Sequence, residues 1–248
     1  MTYVNKEAFL HLKERYNQIN VIDVGAARAS FMKELLKVYE REDIYSVGLD
    51  PINHHTSAKP GGPIIDRTQD QYDLFMQCGV DNVGIITSRT FYINSDDQAS
   101  SFSKLKLENL STDKSDKNKY WYPSGEFYKI RNIANVAENV PVYPLEEVIK
   151  QHFGYATNLI HFIKVDAEGK DLDVIKSIED KTLRKRVKFV TMECPNRIPR
   201  FEEESTKPEC INYMQSKNFK IFTDMDYEDD PANGQPMSDI VFINGEDI

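Results

Sequence analysis

Several short apolar runs of this sequence end in or near an acidic residue, and these residues are Asp23, Asp50, Asp166 and Glu193. If the runs are parallel strands, their carboxyl ends lie at one edge of the sheet, which is where such sheets bind ligands. Neighbouring carboxylates repel a phosphate group. The sequence therefore favours a ligand that is cationic, rich in hydroxyl groups, or both.

The stretch VIDVGAARASF, from Val21 to Phe31, is typical of a strand, a tight turn and the start of a helix. A dinucleotide fingerprint, G-x-G-x-x-G, needs its middle glycine to admit a pyrophosphate. Here Ala27 takes that position and Ser30 the last one, so pyrophosphate binding is disfavoured. Asp50, at the end of the next predicted strand, is suited to accept the hydroxyls of a ribose. S-adenosylmethionine fits, because it joins a nucleoside to a sulfonium and an amino-acid tail without a pyrophosphate.

Apolar runs alternate with amphipathic stretches, as in a parallel sheet with helices on both faces. The predicted strands are Asn20–Gly25, Ile44–Asp50, Asn82–Thr87, His161–Asp166 and Lys188–Glu193. An N-terminal helix within residues 1–19 precedes the other predicted helices, which are Ser30–Tyr39, Gln69–Gln77, Pro144–His152, Asp171–Ile178 and Pro208–Lys217. FKIFTD and MSDIVFING predict an antiparallel hairpin at the C-terminal edge of the sheet. We expect one Rossmann-like α/β domain over residues 1–248.

Two segments interrupt this alternation. Residues 96–135 are rich in Ser, Lys, Asp and Asn and contain the aromatic run Tyr120, Trp121 and Tyr122. A polar insertion of this length is either functional or disordered. The aromatic run favours a partly ordered lid, because disordered segments carry few aromatic residues. The second segment is the loop Pro195–Lys207, directly after the fifth predicted strand.

Charge and composition argue against several classes of protein. A formal net charge of −9 disfavours a nucleic-acid-binding protein that uses a broad basic surface. No run approaches the ~18 consecutive apolar residues of a membrane span, and the N-terminus lacks the apolar core of a signal peptide. The 3 cysteines are scattered, which predicts ordinary thiols in a reducing compartment. We expect a cytoplasmic protein.

The motifs and their order resemble the FkbM-type family of class I S-adenosylmethionine-dependent methyltransferases. VIDVGAARASF followed by VGLDP is similar to the first two cofactor motifs of class I methyltransferases. PLEEVI and the later IHFIKVDAEGKDLDVIKSI resemble the FkbM signature, whose Lys-x-Asp-x-Glu-Gly core falls on Lys164, Asp166, Glu168 and Gly169. FVTMEC resembles the next strand of that family, and FYINSDDQASSF its serine-containing hairpin. The resemblance covers roughly residues 21–194.

The resemblance implies a set of residues that bind the cofactor, namely Asp23, Gly25, Ala26, Asp50, Pro51, Ser88, Ser101 and Asp166. It also implies that the catalytic residues are Lys164, Asp166 and Glu168. The expected reaction is O-methylation by in-line methyl transfer, with Asp166 or Glu168 taking the proton of the acceptor hydroxyl. The implied acceptors are small molecules or glycans, such as sugars, glycan termini or secondary metabolites.

Lys164 is unusual because it lies inside an apolar strand. Strand alternation puts it on the same face as Asp166, about 6.6 Å away, and a buried lysine needs a carboxylate partner. The adjacent predicted strand offers Glu193, which we expect to pair with Lys164. No metal ion is predicted, although Asp166 and Glu193 could imitate the acidic residues of metal-dependent methyltransferases.

Three positions depart from the family pattern, because Ala29, Glu146 and Asp171 stand where glycine, aspartate and glutamate are usual. Two other functions stay open at this point. A non-catalytic protein could keep the fold and use the insertion as an interaction surface, but the intact cofactor motifs disfavour it. A nicotinamide-dependent oxidoreductase would need the glycines that the first turn lacks.

Overall fold

A computed structural model of the protein describes residues 5–27, 29–52, 55–56, 66–93, 101–113, 119–121, 136–154, 158–227 and 236–247. The helices are α1 (Lys6–Lys13), α2 (Ser30–Leu35), α3 (Leu145–Phe153), α4 (Asp171–Lys176), α5 (Asp180–Arg186) and α6 (Lys207–Ser216). Short 3₁₀ helices cover Arg41–Asp43, Thr68–Gln71, Leu107–Asn109 and Gly245–Asp247. None of the described helices has the length and apolar character that crossing a bilayer requires.

The strands of the central sheet and of three smaller sheets are, in chain order, β1 (Ile19–Val24), β2 (Ile44–Asp50), β3 (His55–Thr56), β4 (Asp66–Arg67), β5 (Leu74–Gln77), β6 (Gly79–Val80), β7 (Thr87–Ile93), β8 (Leu110–Ser111), β9 (Tyr120–Trp121), β10 (Val136–Tyr143), β11 (Ile160–Val165), β12 (Val187–Pro195), β13 (Phe219–Asp226) and β14 (Met237–Asn244).

The described part of the chain forms a central sheet of seven strands in the order β13-β14-β12-β11-β1-β2-β5. The strands from β12 to β5 pair in parallel, whereas β14 runs antiparallel to both β12 and β13. This confirms the predicted α/β fold with a mostly parallel sheet and an antiparallel C-terminal hairpin. The strand order reverses between β1 and β11, and open sheets bind ligands at such a switch point.

Helices cover both faces of the sheet, because alternate strand residues point to opposite sides. On one face, Ile19 and Val21 of β1 pack in an apolar cluster with residues of α1 and α2, including Phe9 and Met32. On the other face, Ile22 and Val24 join a cluster with residues of α3, α4, α5 and α6. The two clusters hold β1 between them, so the turn that follows β1 starts from a rigid support.

The third strand of the sheet differs from the one that the sequence predicts. Leu74–Gln77 pairs with β2 as an edge strand, so the predicted helix Gln69–Gln77 is wrong. The predicted strand Asn82–Thr87 is also wrong, because residues 82–86 form a largely exposed loop between β6 and β7. A run of three apolar residues fits a strand as well as a helical turn, and pairing with β2 decides between them.

A second sheet, in the order β6-β10-β7, follows the central one in the chain. Of the predicted lid over residues 96–135, the structure describes residues 101–113 and 119–121. Strand β10 begins directly after this segment, at Val136. In the described part, β8 and β9 pair in parallel. The other residues of that segment lie outside the described residues, so the lid stays a prediction.

His161 lies near the amino end of β11, remote from the switch point. Its Nδ1 atom accepts a hydrogen bond of 2.9 Å from the backbone N–H of Asn20, and its ring packs edge to face against Tyr16. His161 therefore belongs to the core. Cys78, Cys194 and Cys210 are all buried and free, as expected for ordinary thiols.

Candidate active site

Acidic residues stand side by side at the carboxyl edge of the central sheet. The strand registers place five residues in one row, namely Asp50, Gly25, Asp166, Glu193 and Asp239. This confirms that the strand-end carboxylates of β2, β11 and β12 share one edge. Asp239 extends the row to β14, where burial raises its pKa to about 7 and the charge of Glu193 adds to the effect. Gly25 interrupts the acidic row at the switch point.

Gly25 lies in the turn after β1, directly beside the residue that follows β11. Its N–H donates to the carbonyl of Leu49 at 2.9 Å, and its own carbonyl accepts from Nζ of Lys164 at 2.8 Å. The φ angle of Gly25 is +72°, and a Cβ atom there would lie 1.8 Å from the carbonyl oxygen of Asp166. Both the backbone conformation and the space therefore require glycine.

Asp50 fixes the rest of this turn. The side chain is buried; its Oδ2 accepts from the N–H of Ala27 at 2.8 Å and its Oδ1 from the N–H of Ile52 at 2.7 Å. Ala27 and Ala29 have positive φ angles of +40° and +54°, a region that favours glycine. This conformation gives a physical reason for the glycine that the family usually has in place of Ala29. The predicted contact of Asp50 with a ribose stays a prediction.

The remaining residues predicted to bind the cofactor have different positions. Ala26 is buried within the first turn, and Pro51 is half-buried in the loop after β2. Ser101 lies beside the turn after β11, where its Oγ donates to the carbonyl of Glu168 at 2.6 Å. Ser88 is not brought to this edge, because it is exposed on β7 in the second sheet. The third parallel strand of the central sheet is Leu74–Gln77 and not the predicted Asn82–Thr87, so Ser88 does not follow a strand of that sheet.

Asp23 lies two residues before Gly25 and is completely buried. Its Oδ2 accepts a hydrogen bond from the hydroxyl of Tyr72, and its Oδ1 lies 3.2 Å from Nζ of Lys164. Burial raises the pKa of Asp23 to about 6, although Lys164 and Tyr72 act in the opposite direction. Gly48 leaves the space for Tyr72, since a Cβ there would lie 2.7 Å from the ring. Asp23 thus supports the turn from beneath, and its contact with the cofactor stays a prediction.

Lys164 connects three parts of the site. Besides Gly25 and Asp23, its Nζ reaches Oδ2 of Asp166 at 3.3 Å. Burial alone would lower the pKa of Lys164, but the charges of Asp166 and Asp23 outweigh it and raise the pKa above its ordinary value. The lysine is therefore charged, and it fixes the Gly25 carbonyl relative to the Asp166 carboxylate. The predicted shared face of Lys164 and Asp166 is confirmed.

The predicted pairing of Lys164 with Glu193 is wrong. The register places Thr191 beside Lys164, and Glu193 stands two residues further along β12. Glu193 pairs instead with Arg200, whose Nη2 lies 2.7 Å from Oε2 of Glu193. Arg200 comes from the loop Pro195–Lys207, whose position in space the sequence could not predict.

Glu168 lies in the turn after β11, where the backbone is left-handed. The φ angles are +47° at Glu168 and +89° at Gly169. A Cβ at Gly169 would lie 2.7 Å from the ring of Phe201, so the loop after β12 packs directly on this turn. Positive φ at a non-glycine residue costs about 1 kcal/mol or more, and such strain persists where surrounding contacts enforce it. Ser101 and Phe201 provide these contacts.

The carboxyl group of Glu168 is only partly satisfied. One-fifth of its side chain is exposed, but its Oε2 atom is buried and accepts no hydrogen bond from the described residues. Nη2 of Arg200 lies 3.4 Å from this atom. Burial raises the pKa of Glu168 well above its usual range; Arg200 opposes this, and the charge of Glu193 adds to it. A basic carboxyl group with an unused acceptor atom is suited to take a proton from a ligand.

Three carboxylates at this edge are close enough to share one cation. One oxygen atom each of Asp166, Glu168 and Glu193 lies within 4.8 Å of the other two. In the structure, the guanidinium of Arg200 supplies a positive charge to Glu168 and Glu193. That the reaction needs no metal ion stays a prediction.

Sequence reasoning missed three contributors to this site. The sequence shows Arg200 only as part of the irregular loop Pro195–Lys207. Tyr72 lies within the wrongly predicted helix. Asp171 was noticed only as a departure from the family pattern. Its carboxylate accepts from the N–H of Ala167 and from the N–H of Glu193, both at 3.3 Å, and so joins the turn after β11 to the end of β12.

The model of the methyltransferase FkbM domain matches residues 23–221 of the chain. The protein belongs to the FkbM methyltransferase family. Its cofactor is therefore S-adenosylmethionine, in agreement with the first turn and the strand-end carboxylates. The match includes the acidic edge of the sheet, the Gly25 turn and the Lys164–Glu168 segment.

Solved structures of other methyltransferases resemble the chain more distantly. One is the 1,6-didemethyltoxoflavin-N1-methyltransferase of Burkholderia thailandensis, with 11% identity, a TM-score of 0.39, and 97% of this chain and 78% of that chain covered. That enzyme was solved with 1,6-didemethyltoxoflavin and S-adenosylhomocysteine bound. Another is the methyltransferase domain of bacterial CtHen1-CN, with 14% identity, a TM-score of 0.38, and 97% and 99% covered. No curated protein matches the sequence.

Proposed function

We propose that this FkbM methyltransferase transfers the methyl group of S-adenosylmethionine to a hydroxyl oxygen of a sugar, a glycan or a secondary metabolite. The new C–O bond forms as the S–C bond of the sulfonium breaks. The hydroxyl proton passes to the carboxylate of Glu168, and S-adenosylhomocysteine leaves as a neutral thioether. The observation that carries the proposal is the buried Oε2 atom of Glu168, which accepts no hydrogen bond from the described residues.

The surroundings of Asp166 and Glu168 support different roles for the two candidates. Lys164 lies 3.3 Å from the carboxylate of Asp166 and also holds the Gly25 carbonyl. Asp166 therefore suits a fixed contact with the cationic end of the cofactor beside the first turn. Glu168 has a raised pKa, which matches the basicity that a hydroxyl proton requires. Lys164 then acts on the reaction through Asp166 and Gly25.

Methyl transfer from S-adenosylmethionine requires the protein to position the reactants more than to activate the methyl donor. The sulfonium is already a good methyl donor, so the protein must hold the acceptor oxygen, the methyl carbon and the sulfur in line. The rigid turn at Gly25 would hold the donor. The turn around Glu168, which Ser101 and Phe201 fix, would hold the base on the acceptor side.

The experiment is calorimetry with S-adenosylmethionine, S-adenosylhomocysteine and NADH, followed by a sugar panel in which S-adenosylhomocysteine formation is measured. The first two ligands should bind and NADH should not. The panel compares each sugar with the analogue that has an amino group in place of one hydroxyl, and mass spectrometry locates the new methyl group. Methylation of amino analogues without methylation of any parent sugar would contradict the oxygen acceptor, and failure of both adenosyl ligands to bind would refute cofactor use at this edge.

Glu168→Gln and Asp166→Asn should separate the two proposed roles. Removing the base at Glu168 should lower turnover by about 10²- to 10⁴-fold while the affinity for S-adenosylmethionine stays close to that of the wild type. Asp166→Asn should weaken cofactor binding more than it lowers turnover at saturating cofactor. Steady-state kinetics and calorimetry on the same samples check both effects. An unchanged turnover in Glu168→Gln would remove Glu168 from the base role.

A further inference from the structure

Arg200 lies at the centre of a cluster of carboxylates. Its Nη2 lies 2.7 Å from Glu193 and 3.4 Å from Glu168, and its Nε lies 3.6 Å from Oε1 of Glu204. The side chain of Arg200 is only 12% exposed. Ion pairs at this depth are screened much less than surface pairs, so Arg200 has a strong effect on the charge and position of its partners.

The loop that carries Arg200 is held by contacts on two sides. Oε2 of Glu204 accepts from the backbone N–H groups of Arg200 and Phe201. The carbonyl of Arg200 accepts from the N–H of Lys106 at 2.8 Å, and an antiparallel bridge joins Leu105 to Phe201. The backbone that carries the guanidinium of Arg200 is therefore fixed relative to the site.

The same contacts connect Arg200 to the backbone of Glu168. Phe201 packs on Gly169, the residue after Glu168. Ser101, four residues before Leu105, donates to the carbonyl of Glu168. The turn after β11 is thus held at its carbonyl, its glycine and its carboxyl group by two loops that are hydrogen-bonded to each other.

We infer that Arg200 is a positioning residue, whose guanidinium holds the carboxyl groups of Glu168 and Glu193 in place on the acceptor side of the site. This role rests on the proposed function of Glu168 as the base. Nothing in the FkbM match assigns a task to the loop after β12 or to this arginine.

The charges around Glu168 explain why its ionised carboxyl group needs a cation nearby. The charged groups that face its carboxyl group are Arg200 from the loop after β12, Glu193 from β12, Asp166 from the end of β11 and Asp171 from α4. The carboxylates repel the ionised form of Glu168, and burial also disfavours it. Without Arg200, Glu168 would stay protonated to higher pH and could not accept a proton from the substrate.

The test follows the carboxyl carbon of Glu168 by NMR in ligand-free protein with ¹³C-labelled glutamate, and Glu168→Gln assigns the signal. Arg200→Gln should raise the pH midpoint of this signal by about one unit or more, the size expected for losing an opposite charge at this distance. Arg200→Lys should give an intermediate midpoint, because lysine keeps the charge but lacks the planar fork.

Arg197→Gln is the matched control, since it removes the same charge from an exposed position in the same loop. The control should leave the midpoint within about 0.3 unit of the wild type, as expected for a screened surface charge. The inference would be overturned if the midpoint shifted equally in Arg200→Gln and Arg197→Gln, or if Arg200→Gln left it unchanged. If Arg200→Gln does not unfold cooperatively, Arg200→Lys becomes the test. A midpoint in Arg200→Lys equal to that of the wild type would also overturn the inference. Calorimetry with S-adenosylmethionine tests the proposed function separately, since the titration needs no cofactor.

Discussion

Replacing Gly25 with alanine should abolish cofactor binding and destabilise the protein by about 2–4 kcal/mol, the sum expected for a strained positive φ and an overpacked contact. The added Cβ would lie 1.8 Å from the carbonyl oxygen of Asp166. The contact is with backbone atoms, so no side-chain rotation relieves it. Either the first turn or the end of β11 must move, and the hydrogen bond of Lys164 to the Gly25 carbonyl would be lost with it.

Gly154→Ala provides the matched control for Gly25→Ala. Gly154 has a φ angle of +69°, close to the +72° of Gly25, but a Cβ there would meet nothing within 4 Å. The ψ angle of Gly154 is 173°, a backbone region that is essentially restricted to glycine. We expect this control to lose about 1–3 kcal/mol from backbone strain alone and to bind the cofactor like the wild type. Urea unfolding and calorimetry measure both effects. Equal losses of stability and of cofactor affinity in the two variants would mean that backbone strain, and not the close approach of Asp166, makes Gly25 necessary.

The acidic edge was predictable because it follows from local patterns. Ile44–Asp50 forms a strand with the predicted bounds, and β1 and β11 differ from their predicted bounds by one residue at each end. An apolar run with an acidic residue at its end identifies both the strand and the side chain that ends it. Adjacent strands then bring these ends together without further information.

The third strand was not predictable in the same way. Leu74–Gln77 contains three apolar residues in succession, a pattern that carries no period of its own. Only pairing with β2 makes it a strand. The same error affects Ser88, which directly follows the wrongly predicted strand Asn82–Thr87. It also affects Tyr72, which lies inside the wrongly predicted helix and reaches Asp23 from just before β5.

The ion pairs were the least predictable part of the site. Sequence separation says nothing about which carboxylate a buried lysine reaches, and the sequence predicts that Lys164 pairs with Glu193 of β12. It reaches instead Asp23, its register partner on β1, and Asp166, two residues along its own strand. Glu193 is then left for Arg200, whose position depends on loop contacts with residues about 100 positions earlier in the chain.

Replacing Lys164 with methionine should destabilise the protein by about 3–5 kcal/mol at neutral pH, the usual cost of leaving a buried charge without its partner. The variant removes the cation from Asp23, which is completely buried, and from Asp166. It also removes the donor to the Gly25 carbonyl. Cofactor affinity should therefore fall together with stability, and urea unfolding and calorimetry measure the two.

The loss in Lys164→Met should depend on pH in a defined direction. Burial already raises the pKa of Asp23 to about 6 with Lys164 present, and loss of the lysine raises it further, whereas the unfolded value is about 3.9. Between these values the folded state binds more protons than the unfolded state, so the stability of the variant falls as the pH rises. The deficit relative to the wild type should be larger at pH 8 than at pH 5.

Two companion variants make this prediction specific. Asp23→Asn combined with Lys164→Met removes the unpaired charge, so the double variant should be more stable than Lys164→Met at pH 8. Lys37→Met is the matched control, because Lys37 pairs with Glu34 at 2.7 Å while 59% and 34% of the two side chains stay exposed. It should lose only about 1 kcal/mol, as for a partly solvated pair, and keep its cofactor affinity. A deficit in Lys164→Met that stays constant between pH 5 and pH 8 would mean that Lys164 stabilises the first turn through the Gly25 carbonyl and not through Asp23.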